Sequence, residues 1–166
     1  CPCGWHGDRE HGCRCSTSQR QRYWQRLSGP LLDRLDLQLR LERRNAHAVK
    51  TCMTEPIHAT NRGHWIEPAR IEQARQRMHL RNPGKGCNRV LSAHALRSVG
   101  RFQPSALKLW EQLIDHRGLT TRSGLQLLRV ARTIADLNNN EDVNVEEVAE
   151  ASCFRCSDLI RQSIAQ

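Results

Sequence analysis

Four cysteines stand in two closely spaced pairs at the start of the sequence. Cys1-Pro2-Cys3 and Cys13-Arg14-Cys15 flank a loop that is rich in Gly, His and Asp. Four thiolates suit a closed tetrahedral zinc site, which stabilises a small loop that has no core of its own. His6 and His11 are alternative ligands for one thiolate, and unligated thiols are the simpler alternative. The spacing predicts a metal centre, with Zn2+ preferred to an iron–sulfur cluster, at Cys1, Cys3, Cys13 and Cys15.

A basic helix is predicted directly after the cysteines. Ser16, with Gln19 three residues later, is typical of a capping box, so the helix runs to about Leu27. Its exposed face, with Tyr23 and Trp24 interleaved, offers phosphate contacts and base stacking to nucleic acid. A solvated basic face is the equal alternative. The candidate contacts are Arg20, Arg22 and Arg26.

The remaining elements must position these groups. Leu35 to Glu42 alternates apolar and polar residues, which predicts a half-buried strand. Residues 43–66 are polar and aperiodic and are predicted to be a linker or insertion. Helices are predicted from Pro68, over about 92–99, from Pro104 to a stop at Gly118, over about 121–137, and after an Asn144–Glu147 cap. Their predicted inner faces include Ile71, Ala74, Met78, Ala106, Leu109, Trp110, Leu113, Leu127, Leu128, Ala131, Ile134, Ala135, Val145, Val148 and Ala149.

Composition limits the function classes. The 166 residues hold 26 Lys and Arg against 17 Asp and Glu, a formal net charge of +9, which favours polyanionic partners. No apolar run reaches the ~18–20 residues of a membrane span, so no membrane role is predicted. The first residue is Cys and the predicted strand lacks partners, which together favour a fragment of a longer protein.

Several motifs then resemble one family. Cys1-Pro2-Cys3-Gly4-Trp5-His6-Gly7-Asp8, Ser28-Gly29-Pro30-Leu31-Leu32-Asp33-Arg34-Leu35-Asp36-Leu37 and Ala131-Arg132-Thr133-Ile134-Ala135-Asp136-Leu137 resemble the magnesium-chelatase-like AAA+ ATPases of the ComM/YifB type. Weaker matches follow in the same order at Gly86-Cys87-Asn88 and at Phe154-Arg155. The resemblance covers most of the chain except residues 43–66.

The resemblance implies roles for two arginines. Arg34 would be the arginine finger that reaches the nucleotide of the neighbouring subunit in trans. Arg122 would be the sensor-2 residue that contacts the phosphates of its own subunit's nucleotide in cis. The alternatives are an ion pair of Arg34 with Asp33 or Asp36, a solvated Arg122, or a sensor 2 at Arg129 or Arg132.

The implied fold is mainly α, as the C-terminal part of an AAA+ module. Residues 1–42 would end the AAA+ core with the cysteine knuckle, the last core strand and the finger segment. Residues 43–67 would be a linker or insertion, and residues 68–166 a helical lid. No G-x-x-x-x-G-K-[ST] loop occurs in the sequence, so the chain by itself is expected not to hydrolyse ATP.

The implied activity is that of an ATP-dependent motor on DNA. The family would act as a homo-hexamer in the bacterial cytoplasm, with ATP and Mg2+ at subunit interfaces, in branch migration during recombination or natural transformation. Three alternatives remain: a free-standing zinc-dependent nucleic-acid-binding module, a magnesium-chelatase-type ATPase that inserts metal into a porphyrin, and an inactive truncated product.

Overall fold

A computed structural model describes residues 1–8, 10–27, 29–39, 46–54, 67–84 and 86–155. Within these ranges the chain is mainly helical, as the sequence predicts, and contains no strand. One isolated parallel bridge joins Phe102 to Val143. The helices are α1 (Thr17–Gln25), α2 (Gly29–Leu32), α3 (Ala46–Thr54), α4 (Pro68–Arg81), α5 (Ala93–Val99), α6 (Pro104–Arg117), α7 (Thr121–Leu137) and α8 (Val145–Cys153), with a 3-10 turn at Asn88–Val90.

Local capping chemistry sets the helix ends. The Ser16 hydroxyl accepts from the Gln19 amide, and the Gln19 side-chain oxygen accepts from the Ser16 amide, which starts α1. Proline occupies the first position of both α4 and α6. Gly118 ends α6 in the left-handed conformation at φ 59°. At α8 the Glu147 side chain accepts from the Asn144 amide at 2.8 Å, as the predicted cap requires.

The core is built around α7, which packs against α4, α6 and α8. Gly124 lets α6 approach closely, because a Cβ there would lie 3.1 Å from the Ile114 side chain. The Trp110 indole donates to the Gly124 carbonyl at 2.9 Å across the same contact. The buried apolar residues, among those described, are Ala74, Leu91, Leu96, Ala106, Leu127, Leu128, Ala131, Ile134, Ala135, Val143, Val148 and Ala151.

A buried charge cluster fastens α4 to α7. Asp136 and Arg132 are both 0% exposed, and Arg132 donates to the Asp136 carboxylate at 3.1 Å. Arg81 adds two bonds to the same carboxylate at 2.6 and 2.8 Å, and Asn88 adds one at 2.8 Å. Arg77 donates to the Asp136 carbonyl at the end of α7. The carboxylate is therefore fully paired, as a buried charge requires.

The predicted strand at Leu35–Glu42 is wrong over the residues that the structure describes. Leu35, Leu37 and Leu39 are exposed by 45%, 54% and 69%, whereas Gln38 is only 8% exposed. The physical reason is that the described residues offer no second strand to pair with. Instead, the Gln38 amide donates to the Phe154 carbonyl at 2.8 Å. Residues 40–42 lie outside the described residues.

Three smaller differences separate the prediction from the structure: the buried faces of two helices, and one helix that was not predicted. Val145 and Ala149 are exposed, and the inner face of α8 is formed by Val148 and Ala151 instead. Ile71 is also exposed, although Ala74 on the same helix is buried. The segment 43–66 contains α3, which the polar composition did not predict. The rest of that segment lies outside the described residues.

Candidate metal centre and exposed arginines

The four predicted cysteine ligands converge in space. Cys1 and Cys3 have their Sγ atoms 3.5 Å apart, Cys3 and Cys13 lie 3.5 Å apart, and Cys13 and Cys1 lie 3.7 Å apart. All four sulfur atoms, including that of Cys15, lie within 4.8 Å of one another. Sulfurs bound at about 2.3 Å to a tetrahedral ion would be roughly 3.8 Å apart, whereas a disulfide requires about 2.05 Å. The spacing fits a four-thiolate metal site.

The backbone of the loop supports this geometry. Gly4 and Gly7 adopt φ values of 79° and 85°, which residues with a side chain rarely adopt. The Gly4 amide donates to the Cys1 carbonyl at 3.1 Å, and the His6 amide donates to the Cys1 sulfur at 3.2 Å. The loop therefore turns tightly enough for Cys1 and Cys3 to place both sulfur atoms at the same site.

The thiols are electrostatically prepared for a cation. The Trp5 amide donates to the Cys3 sulfur, which lowers the pKa of that thiol to about 6. The Cys15 amide lowers the pKa of Cys13, but desolvation and the hydrogen bond with Cys3 outweigh it, so that pKa is raised. The low pKa of Cys3 favours its thiolate, which is the form that binds a metal, and metal binding would release the protons of the other thiols.

Neither histidine joins the sulfur cluster. The His6 ring lies 3.0 Å from the Arg20 guanidinium, and the His11 ring stacks on Trp5 with a centroid distance of 4.3 Å. His11 also contacts the Asp8 carboxylate, which accepts from the Glu10 and His11 amides. Within the described residues, the cluster with metal-ligand spacing consists of the four cysteines alone.

The basic face of α1 lies beside this loop. The Arg20 guanidinium contacts the His6 ring of the loop and donates to the Thr17 hydroxyl of α1 at 3.1 Å, so it links the helix to the loop. Arg22 and Arg26 are exposed. Tyr23 is exposed and meets Trp24 edge to face at 6.5 Å. The exposed side chains of Arg22, Arg26 and Tyr23 are therefore available to a polyanion.

Arg34 lies in the turn that follows α2 and is exposed. Its guanidinium donates to the Pro30 carbonyl at 3.0 Å. Neither alternative partner holds it, since Asp33 accepts from the Thr120 hydroxyl and Asp36 pairs with Arg89 at 3.7 Å. Among the described residues, no carboxylate pairs with Arg34.

Arg122 is the second residue of α7 and is also exposed. The alternatives at Arg129 and Arg132 are engaged inside the protein. Arg129 donates to the Leu91 carbonyl at 2.9 Å, and buried Arg132 donates to the Glu141 and Asn140 carbonyls as well as to Asp136. Of the three arginines, Arg122 is the one whose side chain faces solvent.

The segments that carry Arg34 and Arg122 meet. The Thr120 hydroxyl caps α7 by accepting from the Ser123 amide, and it donates to the Asp33 carboxylate at 2.6 Å. Asp33 precedes Arg34, and Thr120 lies two residues before Arg122. The structure therefore brings together two predicted site segments that are far apart in the sequence.

Arg155 is a residue of this region whose role the sequence did not reveal. It is 5% exposed, and its guanidinium donates to the Leu35 carbonyl, the Ser123 carbonyl and the Gln126 side chain. Desolvation lowers its pKa, while the Asp33 and Asp36 carboxylates act in the opposite direction. Its place in the Phe154-Arg155 motif, one of the weaker family matches, was the available signal in the sequence.

Two family models match the chain. The one described as "Magnesium chelatase, subunit ChlI C-terminal" matches residues 67–155, and the one described as "Magnesium chelatase, subunit ChlI" matches residues 1–49. The first covers the helices from α4 to α8, and the second covers the cysteine loop and Arg34. No solved structure matches.

Curated relatives are similar over nearly the whole chain. The uncharacterized protein YifB of Escherichia coli is 32% identical over 89% of this chain and 28% of its own length. An uncharacterized protein of Mycobacterium tuberculosis is 33% identical over 93% of this chain and 29% of its own length. The competence protein ComM of Haemophilus influenzae is 26% identical over 92% of this chain and 28% of its own length. The chain thus spans less than a third of each relative.

Among the described residues, none of the helices has the length and apolar character needed to cross a membrane.

Proposed function

Because the chain belongs to the magnesium-chelatase-like family of the ComM/YifB type, we propose that it forms the C-terminal part of an AAA+ ATPase that acts on DNA. The complete protein would bind ATP and Mg2+ at the subunit interfaces of a homo-hexameric ring. This chain would supply Arg34 in trans and Arg122 in cis. The work done would be helicase-type branch migration during recombination or natural transformation.

One observation carries the assignment of the two arginines. Arg34 and Arg122 are exposed and lie on segments joined by the Asp33–Thr120 hydrogen bond, whereas Arg129 and Arg132 are engaged inside the bundle. A guanidinium without a carboxylate partner is available to a phosphate, and it stays charged at every physiological pH. This distribution supports a nucleotide-contacting role for the two exposed side chains.

The chemistry expected of each arginine differs. Arg34 would stabilise the charge that develops on the transferred γ-phosphoryl group, a contribution of about 10³–10⁵ in kcat for arginine fingers. Arg122 would bind phosphate oxygens in the ground state, beside the positive end of the α7 dipole. Loss of Arg34 should therefore reduce turnover, and loss of Arg122 should weaken nucleotide binding.

The first test is Arg34→Ala in the full-length protein. We expect ATP hydrolysis to fall by about 10³-fold, with the dissociation constant for a fluorescent ATP analogue nearly unchanged. Arg89→Ala is the matched control, because Arg89 is also exposed and makes only a long ion pair with Asp36. Retained turnover in Arg34→Ala would refute the finger assignment.

The cysteine loop and α1 would form the part that contacts DNA or supports the ring. The four sulfurs would hold a structural Zn2+, which would neutralise the thiolates and fix the loop without taking part in hydrolysis. Arg22 and Arg26 would contact phosphates, and exposed Tyr23 would stack on a base. Arg20 would chiefly brace the loop through His6.

A zinc-dependent nucleic-acid-binding module is the second candidate, favoured by the same sulfur cluster and its basic neighbour helix. It requires that this chain bind DNA without ATP. Single-stranded and branched DNA titrated against the zinc-loaded chain, with Arg22→Ala/Arg26→Ala as the comparison, decides between the two. Tight binding that is lost in the double variant, together with an inactive full-length ATPase, would favour the module.

A further inference from the structure

We propose that Arg155 is a positioning residue. It holds residues 29–39, here called the Arg34 segment, against the first turn of α7, so that Arg34 and Arg122 move as one body. Asp33 and Thr120 complete the connection. The proposal rests on the roles given above to Arg34 and Arg122.

The guanidinium of Arg155 lies between the two segments. One nitrogen donates to the Leu35 carbonyl, which belongs to the residue directly after Arg34, at 3.3 Å. Another donates to the Ser123 carbonyl, directly after Arg122, at 3.2 Å and also to the Gln126 side chain. A single planar group therefore bonds to the immediate neighbours of both arginines, and its rigid fork fixes their separation.

A second, independent bond joins the same two segments. The Thr120 hydroxyl donates to the Asp33 carboxylate at 2.6 Å and accepts from the Ser123 amide at 3.1 Å. Because the acceptor is a carboxylate, this bond is stronger than one between neutral groups. Both neighbours of Arg34 in the chain are therefore fixed: Asp33 by Thr120, and Leu35 by Arg155.

The Arg34 segment is also anchored to the end of α8. The Gln38 amide donates to the Phe154 carbonyl at 2.8 Å, and the Gln38 side chain donates to the Leu32 carbonyl at 3.0 Å. Buried Gln38 therefore closes the loop that begins at α2. Since Phe154 and Arg155 are adjacent, one short stretch of chain bonds to the loop backbone at two points, the Gln38 amide and the Leu35 carbonyl.

The charges favour the docked arrangement. Arg155 is nearly fully buried, and desolvation lowers its pKa, while Asp33 and Asp36 from the Arg34 segment favour its charged form. Undocking the segment would remove two carboxylates and one carbonyl acceptor from a guanidinium that remains largely surrounded by protein. Leaving such a charge uncompensated is costly, so the docked state should be the preferred one.

The consequence concerns communication between subunits. Arg122 would contact the phosphates of its own subunit, and Arg34 would reach those of the neighbour. If both belong to one rigid body, a shift of α7 on binding or losing a γ-phosphate displaces Arg34 by a similar amount. A misplacement of about 1 Å is enough to reduce turnover by roughly 10²-fold.

The experiment uses the full-length protein and measures kcat for ATP and the dissociation constant of a fluorescent ATP analogue. Arg155→Met and Asp33→Ala should each lower kcat by about tenfold or more, with nucleotide affinity changed by less than about threefold, because α7 and Arg122 stay in place. Asp33→Asn keeps an acceptor for the Thr120 hydroxyl and should restore most of the turnover. Asp142→Asn, which removes a solvent-exposed ion pair with Arg101, is the matched control and should leave kcat within about twofold.

Amide exchange of the same variants reports on position directly. In Arg155→Met and Asp33→Ala, the Gln38 amide should exchange faster, while the amides of α7 keep their protection. If Arg155→Met does not fold, Asp33→Ala carries the test, since its side chain is only partly buried.

The outcomes separate the two proposals. If Arg34→Ala is inactive while Asp33→Ala and Arg155→Met keep normal kcat, the positioning role is wrong and the finger assignment stands. If Arg34→Ala hydrolyses ATP normally, both are wrong. Equal losses of kcat and of α7 protection would also overturn the positioning role, because they indicate general destabilisation.

Discussion

The helical body and the N-terminal segment are stabilised in different ways. From α4 to α8, apolar side chains are buried around α7, and the one fully buried carboxylate, among the residues described, has four donors on Arg81, Arg132 and Asn88. Among the described residues from Cys1 to Leu39, no large apolar side chain is buried, and the leucines at 35, 37 and 39 face solvent.

This difference shows which parts of the chain can specify their own structure. The body supplies both members of each interaction that holds it together. The N-terminal segment relies on local hydrogen bonds, such as the Ser16–Gln19 capping box, and on bonds to the body from Asp33 and Gln38. We therefore expect its stability to depend on the body and on the zinc ion proposed for its four cysteines.

Metal removal should give the largest contrast between the two regions. Structural zinc contributes an apparent binding free energy of about 10–16 kcal/mol to small sites, so chelation should unfold residues 1–15 and leave the helical body folded. We expect about one zinc ion per chain by elemental analysis. Far-UV circular dichroism should barely change, whereas limited proteolysis should cut the loop.

The matched variants are Cys13→Ser and Cys153→Ser. Cys13 is in the sulfur cluster, whereas Cys153 is an exposed cysteine at the end of α8. Only the first should lose zinc. A metal-free protein whose loop still resists proteolysis would contradict the prediction.

Asp136→Asn should give the next largest effect, within the body alone. It leaves buried Arg132 and partly buried Arg81 without their counter-charge, which costs about 3–5 kcal/mol of unfolding free energy. Urea denaturation followed by circular dichroism measures this. Asp142→Asn removes an exposed pair with Arg101 and should cost less than about 1 kcal/mol. Equal costs would mean that the buried cluster adds nothing beyond a surface pair.

A pair of leucine truncations gives the smallest and most direct contrast. Leu127 is 1% exposed and Leu37 is 54% exposed. Leu127→Ala should lower the unfolding free energy by about 2–5 kcal/mol through the cavity it leaves. Leu37→Ala should change it by less than about 0.5 kcal/mol in this chain. A large cost at Leu37 would show that the segment packs on the body more tightly than the structure indicates.

What the sequence revealed depended on how local the determining interactions are. The Ser16–Gln19 capping box, Pro68, Gly118 and the Asn144–Glu147 cap act within one helical turn, so the helix ends could be predicted. The convergence of the cysteines could be predicted for a similar reason, since two tight pairs flank one short loop.

The errors arose where distant parts of the chain decide. The alternation from Leu35 to Leu39 is typical of a strand, but a strand requires a partner, and Gln38 bonds to Phe154 instead. The bonds of Arg81 to Asp136 and of Arg155 to Leu35 join residues far apart in sequence, and no local pattern announces them. The roles of Arg34 and Arg122 remain predictions.

The bridge between Phe102 and Val143 has a consequence for the order of folding. The bridge joins the residues just before α6 to those after α7. The Val143 amide donates to the Arg101 carbonyl, and the Gln103 amide donates to the Val143 carbonyl. These bonds close a long loop, whose entropy cost is largely met once α6 and α7 have packed. We therefore expect the α6–α7 hairpin to nucleate folding and the bridge to form late, docking α8 in the same step. A kinetic study should find slow unfolding when the bridge is intact and faster unfolding when it is weakened, with little change in the folding rate.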